Sequence, residues 1–152
     1  MDIISLLNFE EGYSEKPYYC SAGYPTIGIG KRIGPKGAPL SNYQFTASRQ
    51  LAAVWLSEEL QQKVADMSTH ANITAAMAAC NDSRKAILIS MAYQMGADGL
   101  AKFANTLKAV AEQRWGDAAN GMLNSAWAKQ TPNRAARHAQ QMKTGEWCRE
   151  YN

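Results

Sequence analysis

Cysteine, histidine and long apolar runs are all scarce in this chain of 152 residues. The three cysteines, Cys20, Cys80 and Cys148, are odd in number and far apart, which argues against a disulfide framework and favours a reducing compartment. The two histidines are also far apart, and no CxxC or HxxxH pattern is present, so no metal site is expected.

Features of membrane or exported proteins are also missing from the pattern. No window approaches 18 consecutive apolar residues, so no membrane span is expected. The first residues fit a capped amphipathic helix. They include neither a basic segment nor a continuous apolar run, so no secretory signal is expected. The net charge of +3 mildly favours approach to an anionic surface, such as a cell-wall polymer, without identifying a partner.

Helical patterns occupy most of the chain. Residues 2–10 form the first predicted helix, and a long helix is predicted from Arg49 to about Ser68, with Leu56, Leu60, Val64 and Met67 on one face.

Further helices are predicted over residues 73–80, 84–95, 105–113, 115–123 and 131–143, with a turn at 125–129. The helix over 84–95 is apolar nearly all round, which is typical of a core helix, and Gly96 is predicted to end it.

One small β-element is predicted near the N-terminus. Strands are predicted around Tyr18 to Cys20, from Tyr24 to Ile29 and from Lys31 to Ile33. The fold class is therefore α+β and mostly α. Glu11 at the end of the first helix, Cys20 and Thr26 could be brought together by this hairpin, although each alone has an ordinary structural explanation.

The spacing of these three residues resembles a known family. Glu11, eight residues, Cys20, five residues and Thr26, followed by I-G-I-G, is similar to the catalytic stretch of the T4 lysozyme-like phage endolysins, glycoside hydrolase family 24. In that family the triad is Glu, Asp or Cys, and Thr. Four later stretches in the same order also resemble it: residues 91–96, 114–115, 130–135 and 144–147.

The resemblance implies one two-lobed lysozyme-like domain over residues 1–152. Its N-terminal lobe would span about 12–58, and a connecting helix would span about 49–68. The C-terminal lobe would comprise about 69–152 together with the helix over 2–11.

The resemblance also implies roles by position. Glu11 would be the general acid, Arg134 the cation that pairs with it, and Thr26 a residue that helps to hold the attacking water. Tyr93 and Thr106 would contact substrate.

Two further pairs are implied as supports. Gln94 and Trp127 match a buried hydrogen-bonded pair. Lys31 stands where T4-type members have a histidine, and we predict that it pairs with Glu59.

Cys20 is the main departure, because T4-type members have an aspartate there, although some relatives share the cysteine. Hydrolysis through an oxocarbenium-like transition state usually needs two carboxylates. A thiol with an ordinary pKa near 8.5 is only slightly ionised at neutral pH. Cys20 could attack the anomeric carbon, which retains configuration, or steer water beside Thr26, which inverts it.

The implied function is that of a muramidase cutting the β-1,4 bond between N-acetylmuramic acid and N-acetylglucosamine in peptidoglycan. As an endolysin it would collect in the host cytoplasm and reach the periplasmic wall through a holin. It would be a monomer without a cofactor, without nucleic acid and without stable membrane association. Two alternatives stay open: a lytic transglycosylase, which needs one glutamate and no water-placing residue, and a non-catalytic wall-binding or baseplate protein.

Overall fold

The computed structural model describes all 152 residues, which form eight α-helices, a three-stranded sheet and two short 3-10 helices. The strands are β1 (Ser14–Tyr19), β2 (Pro25–Gly28) and β3 (Lys31–Arg32). The helices are α1 (Ile3–Glu11), α2 (Arg49–Met67), α3 (Ala71–Ala79), α4 (Asp82–Ala101), α5 (Ala104–Ala111), α6 (Trp115–Leu123), α7 (Ala126–Gln130) and α8 (Pro132–Thr144). The 3-10 helices are Leu40–Asn42 and Arg149–Tyr151.

The chain divides into two compact units. One unit comprises residues 7–61, and the other comprises residues 1–6 together with 62–152. The boundaries fall within α1 and within α2, so each of these helices contributes to both units. We call the first the sheet unit and the second the helical unit.

The sheet unit contains an antiparallel meander in the order β1-β2-β3. β1 lies at an edge, where Pro17 can be accommodated because an edge strand has backbone groups that need no ladder partner. β2 is buried along its whole length and packs on α2. A Cβ added to Gly28 would lie only 3.2 Å from the Cβ of Ala52, so the sheet and the helix are in close backbone contact.

The apolar face of α2 differs from the predicted one at a single position. Leu56, Leu60 and Met67 are buried as predicted, but Val64 is 44% exposed. The helix advances about 100° per residue, so steps of four drift steadily around it. By Val64 this drift has carried the side chain off the buried stripe.

The helical unit contains α3 to α8, with α8 packed against α4, α6 and α7. α4 is central to its core, as predicted: Ile87, Leu88 and Met91 are almost completely buried. Gly96 interrupts this helix as predicted, because it adopts non-helical angles (φ 81°, ψ 159°). A second helical segment follows this kink and continues to Ala101, so α4 consists of two segments.

The predicted turn at residues 125–129 was also wrong, because Ala126–Gln130 forms α7. Ser125 caps this helix by accepting a hydrogen bond from the backbone N–H of Ala128 at 3.1 Å. The prediction failed because a serine is favoured both in turns and at the N-cap of a helix.

The α+β, mostly α fold class is confirmed by this architecture. None of the helices combines the length and the apolarity that crossing a membrane requires.

Candidate active site

Glu11 is the last residue of α1, and its carboxyl group lies against the turn between β2 and β3. The contact is with Gly30, at which an added Cβ would be 2.9 Å from Glu11 Oε2 and 3.2 Å from Glu11 Cβ. Gly30 also has a φ of +66°, which side-chain-bearing residues rarely adopt. Glycine is therefore required at this position both by the backbone and by the neighbouring carboxyl group.

Three side chains form a row across one face of the sheet. Tyr18 on β1 is paired with Thr26 on β2, and Thr26 is paired with Arg32 on β3. Residues directly opposite each other in antiparallel strands project on the same face. Cys20 and Tyr24 are each two residues from a member of this row, so the pleat directs them to that face as well.

Cys20 opens the tight turn between β1 and β2. Its N–H donates to the carbonyl of Tyr24 at 3.0 Å, and its own carbonyl accepts from the N–H of Gly23 at 2.8 Å. Burial raises the pKa of the Cys20 thiol, but hydrogen bonds from the backbone of Tyr24 and Ala22, the Thr26 hydroxyl and the Arg32 charge lower it more. The net direction is downward, so the thiolate is more populated than in an ordinary cysteine.

The Thr26 side chain is nearly fully buried, and its hydroxyl serves two acceptors. It donates to the carbonyl of Tyr24 at 2.8 Å, and it is also within reach of the Cys20 sulfur. A hydroxyl has a single proton, so it donates to one of these groups at a time. When Cys20 is charged, donation to the sulfur becomes the stronger hydrogen bond.

Tyr18 is a member of this site that the sequence reasoning missed. Burial, then the charges of Glu11 and Cys20, raise the pKa of its phenol. The phenol, the carboxyl group and the thiol are therefore close enough to interact electrostatically. A signal was present in the sequence, since Tyr18 lies two residues before Cys20 in a predicted strand.

The predicted pair between Lys31 and Glu59 is present. Lys31 Nζ lies 2.7 Å from Glu59 Oε1, and the two side chains are 30% and 28% exposed. The ammonium group is also 5.8 Å from the ring centre of Trp55. These contacts connect β3 to α2 within the sheet unit.

The remaining predicted site residues belong to the helical unit. Arg134, on the first turn of α8, is only 7% exposed and donates from Nη2 to Ser90 Oγ at 2.9 Å. Ser90 Oγ is 2.7 Å from His138 Nε2, and His138 Nδ1 is 3.0 Å from the Tyr151 hydroxyl. This buried chain of four side chains, which we call the Arg134 network, was not predicted.

The predicted Gln94–Trp127 hydrogen bond is present, with Trp127 Nε1 donating to Gln94 Oε1 at 2.8 Å. Tyr93, beside Gln94 on α4, is partly buried. Thr106 on α5 is 7% exposed, and its hydroxyl is packed so closely against Gly121 of α6 that a Cβ there would clash with it.

A family model and several known proteins match this chain over most of its length. The family model described as Phage lysozyme matches residues 8–142. The chain is 32% identical to Probable T4-type lysozyme 1 of Dictyostelium discoideum over 160 residues, covering 94% of each chain. It is 29% identical to the Pre-baseplate central spike protein Gp5 of Enterobacteria phage T4, over 95% of this chain and 28% of that protein. It is 27% identical to the Peptidoglycan hydrolase gp36 of Pseudomonas phage phiKMV, over 82% of this chain and 13% of that protein.

Fold and matches together define the class of protein, a lysozyme-type glycoside hydrolase. Within that class, the chain belongs to the phage lysozyme family. It spans nearly the whole length of the Dictyostelium relative but less than a third of the T4 spike protein and of the phiKMV hydrolase.

Proposed function

We propose that this protein is a muramidase of the endolysin type, which hydrolyses the β-1,4 bond between N-acetylmuramic acid and N-acetylglucosamine in peptidoglycan. The observation that carries this proposal is the assembly of the sheet unit. There the Glu11 carboxyl group lies against Gly30, and the Cys20 thiol is within reach of the Thr26 hydroxyl. Membership of the phage lysozyme family supports it.

Glu11 acts in this proposal as the general acid that protonates the glycosidic oxygen as the bond to the anomeric carbon breaks. Two routes are then open for Cys20. In the first, the thiolate attacks the anomeric carbon, and water activated by ionised Glu11 later displaces it with retention. In the second, Cys20 and Thr26 hold the water that attacks directly, with inversion.

Residues of the helical unit have supporting roles in this proposal. Arg134 is the cation for Glu11, and the Arg134 network fixes the position of its guanidinium. Tyr93 and Thr106 contact the glycan. Gln94 and Trp127, with their 2.8 Å hydrogen bond, act structurally, as do Lys31 and Glu59.

We also propose where in the host cell the protein acts. The protein accumulates in the host cytoplasm, acts on the periplasmic cell wall after a holin opens the membrane, and works as a monomer without a cofactor. Its substrate is peptidoglycan, which is supported by the similarity to the Peptidoglycan hydrolase gp36 of Pseudomonas phage phiKMV.

The first test is the clearing of a suspension of permeabilised Gram-negative cells. The wild type is expected to lyse them, and Glu11→Gln is expected to abolish lysis because an amide cannot donate the proton. Glu15→Gln is the matched control, since Glu15 is an exposed carboxylate on β1. Retained lysis by Glu11→Gln contradicts the assigned acid.

Analysis of the digestion products completes the test. Mass analysis is expected to find reducing ends; anhydro-muramic ends identify a lytic transglycosylase instead. The anomeric form of the first product, compared among the wild type, Cys20→Ser and Cys20→Asp, separates the two routes. The covalent route predicts that both substitutions change rate or outcome sharply, whereas water positioning predicts that aspartate works at least as well as cysteine.

A second candidate function is a non-catalytic wall-binding or baseplate component. It is supported by the similarity to the T4 spike protein, of which the chain covers 28%. Binding to isolated peptidoglycan without lysis by the wild type is the result that favours it.

A further inference from the structure

Cys20 creates a chemical requirement that an aspartate would not create. A carboxylate is ionised at neutral pH without assistance, whereas a thiol at its ordinary pKa is mostly uncharged. A positive charge fixed beside the sulfur meets this requirement. Arg32 is a cation on the same face of the sheet, directly across from Thr26.

Arg32 is held in place by an aromatic ring. Its guanidinium carbon lies 4.1 Å from the ring centre of Tyr24, the distance of a stacked cation–π contact. Tyr24 is in turn hydrogen-bonded to Cys20, since the backbone N–H of Cys20 donates to the Tyr24 carbonyl at 3.0 Å. Arg32, Tyr24 and Cys20 are therefore neighbours at the turn between β1 and β2.

We propose that Arg32, stacked on Tyr24 and aligned with Thr26 across the sheet, is a positioning residue that holds Cys20 in its thiolate form. The thiolate then supplies the negative charge that a carboxylate supplies in T4-type members. The inference rests on the proposed function for its catalytic meaning. The charge on the sulfur itself can be measured without any activity.

Other charged groups around Cys20 have different effects. Glu11 at the end of α1 and Cys20 both act on the Tyr18 phenol on β1, whose pKa their negative charges raise. Lys36, in the loop after β3, packs its aliphatic stem against Gly23. Arg32 is the side-chain cation that acts on the thiol, and it acts together with the hydrogen bonds described above.

The direct test is the rate of carboxamidomethylation of Cys20 by iodoacetamide as a function of pH, measured on the Cys20 peptide by mass spectrometry. Peptide-level measurement separates Cys20 from Cys148 and from Cys80, whose pKa is raised by burial to about 11. In Arg32→Gln the midpoint for Cys20 is expected to rise by about half a pH unit. This corresponds to about threefold less thiolate near neutral pH, the size typical of an exposed charge pair.

Arg49→Gln is the matched control. Arg49 stacks on Tyr13 in the same unit at 4.4 Å, so its substitution removes an equal charge and an equal stacking contact. Arg49 is not among the groups that shift the pKa of Cys20. The alkylation midpoint of Cys20 in Arg49→Gln is therefore expected to match that of the wild type. An unchanged midpoint in Arg32→Gln, or the same shift in both variants, overturns the proposal.

A double-substitution experiment tests the catalytic meaning. Arg32→Gln is expected to slow wild-type lysis about threefold near neutral pH and to move the acidic limb of the pH profile upward. In a Cys20→Asp background the same change is expected to have little effect, because aspartate is ionised without help. Equal losses in both backgrounds overturn the proposed role, since they indicate a structural contribution.

The alkylation measurement and the lysis assay together also separate this inference from the proposed function. If the wild type does not lyse cells, the muramidase proposal fails, and the alkylation midpoints alone decide whether Arg32 charges Cys20. If lysis occurs while the midpoints are equal, the function stands and the role of Arg32 is wrong.

Discussion

A single backbone position, Gly30, fixes the surroundings of the proposed acid. Its φ of +66° makes the turn from β2 to β3, and the missing side chain leaves the space that the Glu11 carboxyl group occupies. In the sequence, Gly30 falls between the strands predicted at 24–29 and 31–33. This pattern could not show that a residue from the end of α1 fills the space, because that contact depends on tertiary packing.

Gly30→Ala is expected to reduce activity at least tenfold, because the new methyl group would displace the Glu11 carboxyl group. The loss in stability should be about 2 kcal/mol, from positive φ and steric overlap together. Lysis assays and urea denaturation measure the two effects.

Gly37→Ala is the control for backbone strain. Gly37 has a similar φ of +79°, but nothing lies within 4 Å of an added Cβ. It is expected to cost about 1 kcal/mol and to leave activity unchanged. If the two alanine variants are equally active, the Gly30 contact does not position the acid.

Secondary-structure elements were predictable to the extent that their signals are local. The spacing of apolar residues predicted α2 with its buried face, apart from Val64, and a stretch that is apolar nearly all round predicted α4. The break in α4 at Gly96 was predictable from the glycine, but the second helical segment up to Ala101 was not, because packing beyond the glycine decides whether the chain resumes a helix. The Arg134 network was out of reach because it joins side chains from α4, α8 and the last 3-10 helix.

The Lys31–Glu59 contact between β3 and α2 provides a prediction at this scale. Lys31→Met is expected to destabilise the protein by about 0.5 kcal/mol at low salt and by less at high salt, because the pair is only partly shielded from solvent.

Chemical denaturation of Lys31→Met, Glu59→Gln and the double variant at two salt concentrations measures this coupling. This double-mutant cycle also cancels any stability that methionine gains by packing against Trp55. Additive effects of the two substitutions would show that the pair contributes nothing.

At the scale of the whole molecule, stability should depend on a buried neutral histidine. Burial, followed by the charges of Arg134 and Arg137, lowers the pKa of His138 well below its usual value. The unfolded chain binds a proton near pH 6.5 while the folded protein does not. The stabilisation is therefore complete above about pH 6.5 and is lost as the pH falls below it.

His138→Gln is expected to flatten this acid dependence, which His138 contributes at up to about 1.4 kcal/mol per pH unit. The measurement is the free energy of unfolding between pH 7 and pH 5. His70→Gln is the control, because His70 is outside the Arg134 network and bonds to Asp98 at 2.9 Å. An acid dependence that survives in His138→Gln but disappears in His70→Gln would reverse the assignment.

The architecture as a whole was predictable because a family motif and helical periodicity point to the same answer. The α+β class and the phage lysozyme family are both confirmed. The individual roles of Tyr93, Thr106 and Arg134 stay predictions, since they depend on how a glycan binds.

The partly exposed, charge-stabilised sulfur of Cys20 also ties the proposed activity to redox chemistry. A carboxylate is inert to peroxide, whereas a thiolate is readily oxidised, first to a sulfenic acid that thiol reductants reverse and then to acids that they do not. Brief peroxide treatment should therefore stop lysis by the wild type, and dithiothreitol should restore this lysis. An active Cys20→Asp variant should keep its activity throughout the peroxide treatment. Such an enzyme would lose activity over time in an oxidising environment, because its thiolate would be oxidised.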